Sequence, residues 1–104
     1  MEGSNDATKS SKTVINCEPV LDIKSAATLY SHLKEAVEHK HEVEIDAREV
    51  SRIDTSIIQI FTAFILEADA MDIDVRWTAV SESFYSTAKL LGLNGDLKLP
   101  SPTT

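Results

Sequence analysis

Two stretches, Glu42-Val-Glu-Ile-Asp-Ala47 and Val50-Ser-Arg-Ile-Asp-Thr-Ser-Ile-Ile-Gln59, decide how this chain folds. In the first, Val43, Ile45 and Ala47 fall on one side of an extended strand, and Glu42, Glu44 and Asp46 on the other. That alternation marks a strand with one buried and one wet face. The second stretch hands the chain to a helix. Asp54 stands where an N-cap belongs, and Ile53 and Ile58 have the N′-to-N4 spacing of a hydrophobic staple. From about Thr55 to Ala70, Ile57, Phe61, Phe64, Ile65 and Ala68 share a helical face, with Gln59, Thr62 and Asp69 outside it. Thr55 and Ser56 are then the first two helical residues, with their hydroxyls at the exposed end.

Outward from this centre the pattern repeats. Asp72-Ile-Asp-Val-Arg-Trp-Thr-Ala79 alternates again, with Ile73, Val75, Trp77 and Ala79 on the apolar side. A helix is expected from about Ala26 to His39, with Ser25 as its cap and Leu29, Leu33, Ala36 and Val37 facing inward. Another is expected from Glu82 to Leu91, capped by Ser81 and stopped by Gly92. Upstream, Thr13–Cys17 and Val20–Ile23 read as two short strands hinged near Pro19. Downstream, Asn94-Gly95 makes a turn ahead of a last strand at Leu97–Leu99. The order β-β-α-β-α-β-α-β predicts a two-layer α/β domain over residues 13–100, its four- to five-stranded mixed sheet carrying helices on one face. Residues 1–12 and 101–104, polar and without an apolar run, read as tails.

Composition narrows the function. The net charge is −7, with ten Lys plus Arg and no basic stripe, which argues against nucleic acid as a partner. No apolar run approaches the roughly 18 residues of a membrane span, so no direct membrane insertion is expected and a cytoplasmic location is. A single cysteine, Cys17, excludes an internal disulfide and reads as a strand residue. His32, His39 and His41 lack the spacing of a metal site, and a solvated helix end accounts for them. Glu67, Asp69, Asp72 and Asp74 read as a solvated face. With only Gly3, Gly92 and Gly95, the chain has no dinucleotide fingerprint or phosphate loop, so no cofactor and no catalytic residue is assigned. Trp77 is expected in the core and Tyr85 at its edge.

The chemistry that remains lies at Asp54-Thr-Ser56. A helix N-terminus presents unpaired N–H groups and the positive end of the dipole, so a phosphate esterified there is tolerated by the fold. It also places nearly two negative charges on a surface a partner must cover. Ile58, in the same first turn and at the edge of the apolar stripe, is expected to stay partly exposed and to join a docking surface.

The chain resembles STAS domains, the sulphate-transporter and anti-sigma-factor-antagonist family, over about residues 13–100. The resemblance is carried by Ile53-Asp-Thr-Ser-Ile57, by Val20-Leu-Asp-Ile-Lys-Ser-Ala-Ala-Thr-Leu29, and by Val80-Ser-Glu-Ser-Phe-Tyr-Ser-Thr-Ala-Lys-Leu-Leu-Gly-Leu93. Ile57 departs from the family pattern, where many members carry glycine. The resemblance implies a non-enzymatic regulator that docks onto other proteins, with Thr55, or less favourably Ser56, phosphorylated by a partner kinase of the anti-sigma-factor type. The implied contact surface comprises Asp22, Ile23, Asp54, Thr55, Ser56, Ile58 and Gln59. Ser51–Thr55 with Tyr85–Leu93 is similar to STAS subunits of lipid-transport ABC complexes, where the domain clasps an ATPase. The same pairing with Arg76-Trp77 is similar to STAS proteins of bacterial chemosensory systems. The expectation set here is a signalling protein, with the transporter subunit as the alternative.

Overall fold

A computed structural model of the protein describes residues 12–101. Five strands and three helices follow one another: β1 (Lys12–Asn16), β2 (Val20–Leu21), α1 (Ile23–Glu38), β3 (Glu42–Ala47), β4 (Arg52–Ile53), α2 (Thr55–Ala70), β5 (Val75–Val80) and α3 (Glu82–Leu90). The expected tails at 1–11 and 102–104 lie outside the described residues, whereas Lys12, assigned to the tail, opens β1.

The strands form two small sheets, not one mixed sheet. β1, β3 and β5 pair side by side in the order β1-β3-β5, and β2 pairs with β4. Every one of these pairings is parallel. The α/β class and the one-sided burial match the sequence reading. Ile15, Val43, Ile45, Trp77 and Ala79 are buried, while Val14 and Arg76, neighbours of Glu44 across the other face, are exposed. Thr78 is the extra residue of a bulge: Ile45 lies opposite Trp77, and Asp46 opposite Ala79. Its hydroxyl donates to the Ile45 carbonyl at 3.2 Å, occupying an acceptor where the ladder shifts.

The fifth and last strand of the sequence reading, Leu97–Leu99, does not form. The backbone N–H groups of Leu97, Lys98 and Leu99 bond back to Leu93, Gly95 and Asn94, and Lys98 takes a positive φ of 59°. Leu97 is drawn inward as a plug, fully buried, and its carbonyl accepts the Trp77 indole N–H at 2.9 Å. A buried indole needs such a partner, and the turn supplies it without a strand. Trp77 sits in the core as expected, with its ring 5.4 Å from Phe61 and 5.2 Å from Phe84, so one aromatic cluster ties α2, β5 and α3 together. Tyr85 is half-buried at the edge of that core.

Helix α1 starts earlier than its expected cap. Asp22, not Ser25, is the N-cap: its Oδ1 accepts the Lys24 N–H at 3.0 Å, and the helix begins at Ile23. Its buried face is Leu29, Leu33, Ala36 and Val37, as read from the periodicity. Helix α2 runs Thr55–Ala70 with the expected apolar face buried. Helix α3 is capped by the Ser81 hydroxyl, which accepts the Phe84 N–H at 3.1 Å, and ends before Gly92 at φ 74°. The described residues contain no helix long and apolar enough to cross a membrane.

Candidate functional site

The second sheet, two residues wide on each side, sets the geometry of the site. Val20 lies opposite Arg52 and Leu21 opposite Ile53. The next residue on each strand is an aspartate, Asp22 or Asp54, and each aspartate opens a helix. The Asp54 N–H donates to the Leu21 carbonyl at 2.9 Å, which locks the two junctions side by side. The Ser51 hydroxyl and N–H both reach the Pro19 carbonyl, at 3.1 and 2.8 Å, and tie the loops below. The proline read as a hinge thus serves as an anchor for β4, a strand the sequence did not announce.

The seven candidate residues separate into four environments. Asp22 and Asp54 line an open polar groove of about 770 Å³ with Arg52 and the α3 residues Glu82, Ser83 and Ser86. Ile23, Ser56 and Gln59 line a second groove, between α1 and α2. Thr55, between Asp54 and Ser56, lines neither and is exposed. Ile58 departs from the expectation. It is fully buried, because the staple position turns it toward the core, and it offers no docking surface. Ile53, its staple partner, is half-buried against the same core.

The electrostatics at the site are negative. Three carboxylates, Asp22, Asp54 and Glu82, face one guanidinium, Arg52, in the polar groove. The ion pairs among the described residues lie elsewhere, at Lys12–Glu44, Lys34–Glu38, Arg48–Asp46 and Lys98–Asp69. The Asp54 side chain makes no capping bond. The Ser56 hydroxyl is buried and without a hydrogen-bond partner among the described residues.

Other side chains that invite chemistry are committed to structure. Cys17 follows β1 in a buried position, and its N–H donates to the Asp46 carbonyl at 2.9 Å. Burial, aided by the charge of Asp46, pushes the thiol pKa up to about 12, so it stays protonated and a poor nucleophile. His39 Nδ1 bonds the Glu35 carbonyl at 3.0 Å, and His41 Nδ1 and the Thr13 hydroxyl bond at 3.1 Å. His39 and His41 stack at 5.4 Å on the exit of α1, and the described residues hold no cluster arranged to grip a metal ion. Asp69 holds Lys98 with both carboxylate oxygens at 2.7 Å, which gives part of the acidic face a structural duty.

Sequence reasoning missed Arg52 and the hydroxyl-rich edge of α3, since only the pairing of β2 with β4 brings them together. It also missed Leu66, which is 60% exposed. The signal was available: eleven residues make three helical turns and about 20°, so Leu66 lies on the same flank of α2 as Thr55 and off the apolar stripe.

A search of curated proteins finds no match to this chain. The family model described as "Mlab, STAS domain" does match, over residues 4–100. That span takes in every element from β1 through the buried Leu97, both aspartate junctions included, and on it the chain belongs to the MlaB-like STAS family.

Proposed function

We propose that this protein is the STAS accessory subunit of a lipid-transport ABC complex, and that it acts by docking onto the complex's ATPase on the cytoplasmic face of the membrane. The observation that carries the reading is the outward flank of α2. Thr55 opens the helix with an exposed side chain, and Leu66 presents an exposed apolar side chain three turns further along the same flank. An apolar anchor on the same flank as an uncapped, acid-flanked helix start, three turns along, makes a surface that a partner gains by covering. The MlaB type of the family supports a transporter partner over the signalling partner that the sequence favoured. In this role the domain holds the ATPase in a working arrangement and performs no reaction of its own.

The exposed Thr55 hydroxyl supports a second reading: a partner-switching regulator in which a kinase phosphorylates Thr55 and weakens docking. The two readings diverge in cells. Affinity purification of the tagged protein is expected to bring down an ABC-type ATPase in near-stoichiometric amount, and Thr55→Glu or Leu66→Glu to abolish the capture without lowering the Tm. Capture of a kinase, together with a mono-phosphorylated species by intact mass spectrometry, would replace the transporter reading with the regulator.

A further inference from the structure

The groove between α1 and α2, of about 530 Å³, is apolar and open, and neither Thr55 nor Leu66 lines it. Its lining on α1 follows the spacing Ile23, Ala26, Tyr30, Leu33 and Val37, one continuous stripe. That stripe rises about 21 Å, four turns of helix. Ala63 and the half-buried Ile60 line it from α2. Two of the largest apolar side chains on this stripe stay in solvent, Ile23 at 66% and Tyr30 at 56% exposure. A contiguous apolar strip of this kind marks a contact surface more than a lone exposed residue does.

The walls of the groove dictate what can fill it. Both are α-helices, whose backbone groups are already paired along their length, so no strand edge is available for an extended segment to extend. An occupant must satisfy its own backbone, which a helix does. Charge then distinguishes the two ends. Glu38 and Glu67 line the end where α1 and α2 finish, and neither helix has a basic residue in its last turn. The only cation on the lining is Lys34, which lies 3.9 Å from Glu38 and leaves Glu67 with no ion-pair partner among the described residues.

We infer that the α1/α2 groove receives an amphipathic helix of the partner protein, about four turns long, with its apolar stripe against Tyr30 and Ala63 and a Lys or Arg at the end that meets Glu38 and Glu67. The inference rests on the docking reading above, but it uses residues other than Thr55 and Leu66 and is tested separately from it.

The probes are two synthetic 15-residue helical peptides with the same leucine stripe, one ending in two arginines and one ending in two glutamates. Each is titrated into the ¹⁵N-labelled full chain. The arginine peptide is expected to shift the amides of Ile23, Tyr30, Ala63 and Glu67 and to bind about tenfold more tightly than the glutamate peptide. Glu67→Lys is expected to reverse that order. Ala63→Arg, at an exposed helical position that the fold tolerates, is expected to abolish binding, while Thr55→Glu leaves it intact. Loss of ATPase capture in Thr55→Glu with peptide binding retained would separate the two contacts. The inference is overturned if the arginine peptide does not bind, if its shifts map elsewhere, or if Glu67→Lys leaves the order unchanged. Self-association of the free chain that Ala63→Arg abolishes overturns it equally, since the occupant is then a second copy.

Discussion

The two strand-to-helix junctions of the small sheet are built alike and capped differently. At the first, Val20-Leu21 leads to Asp22, whose carboxylate turns back to cap α1, and Ile23 follows. At the second, Arg52-Ile53 leads to Asp54, whose carboxylate caps nothing, and Thr55 follows. Both aspartates line the same groove, yet one spends its side chain on the fold and the other does not. At Asp54 an acceptor that could stabilise the helix start is left unused. The third residue after each aspartate reverses the comparison. Ser25 is only half-buried, whereas Ile57 is fully buried, so the free junction is held by core packing and the capped one by a hydrogen bond.

The hardest test of that contrast is glycine at those third positions. Ile57→Gly removes a fully buried side chain and adds a helix penalty, a loss of about 3–6 kcal/mol by urea unfolding, a large part of a domain's stability. Ser25→Gly in the first turn of α1 is expected to cost about 1 kcal/mol or less. Similar midpoints for the two variants would show that Ile57 does not anchor α2. The departure from the family's usual glycine has therefore been absorbed into this core.

Next in size is the effect on docking. Thr55→Glu is expected to weaken ATPase binding by tenfold or more, about 1.4 kcal/mol, while an added acid at a helix start leaves the Tm level or slightly raised. Ile23→Glu, at the matching position of the first junction, leaves the contact on the Thr55 flank in place and acts on the α1/α2 groove instead. Pulling down the ATPase with each variant, with Tm measured in parallel, distinguishes the junctions.

Asp22→Ala removes a capping bond and is expected to cost about 1 kcal/mol, read from chemical denaturation. Sequence alone did not place that cap. It favoured Ser25, a good capping residue three positions on, because nothing local reveals that Val20-Leu21 pairs with Arg52-Ile53 and delivers Asp22 to the helix start. Periodicity carried the rest of the fold well. The 16 residues of α2 and the alternation of β3 are visible because burial imposes a fixed repeat on them. Two-residue strands have no repeat to detect, and Leu97–Leu99 looked like a strand because a buried plug and an inward strand residue are both leucines. The exposed position of Thr55 at a helix start was legible, and Ile58 was misread, because one residue had to serve as staple or as surface and the core took it.

The smallest effect is the most discriminating. Asp54 makes no capping bond, so Asp54→Ala has only the attraction of its charge to the helix dipole to lose, about 0.3 kcal/mol at an exposed site. Against the loss expected for Asp22→Ala, this is nearly silent in an unfolding curve. In the ATPase assay the order should invert, with Asp54→Ala weakening capture and Asp22→Ala doing so less. If both aspartates cost the same stability, Asp54 caps α2 in solution after all. Its carboxylate is then spoken for, and the contact must be sought along Thr55 and Leu66 alone. If Asp54→Ala is silent in both assays, the uncapped acid is a bystander, and the two junctions differ in their hydrogen bonds without differing in what they do.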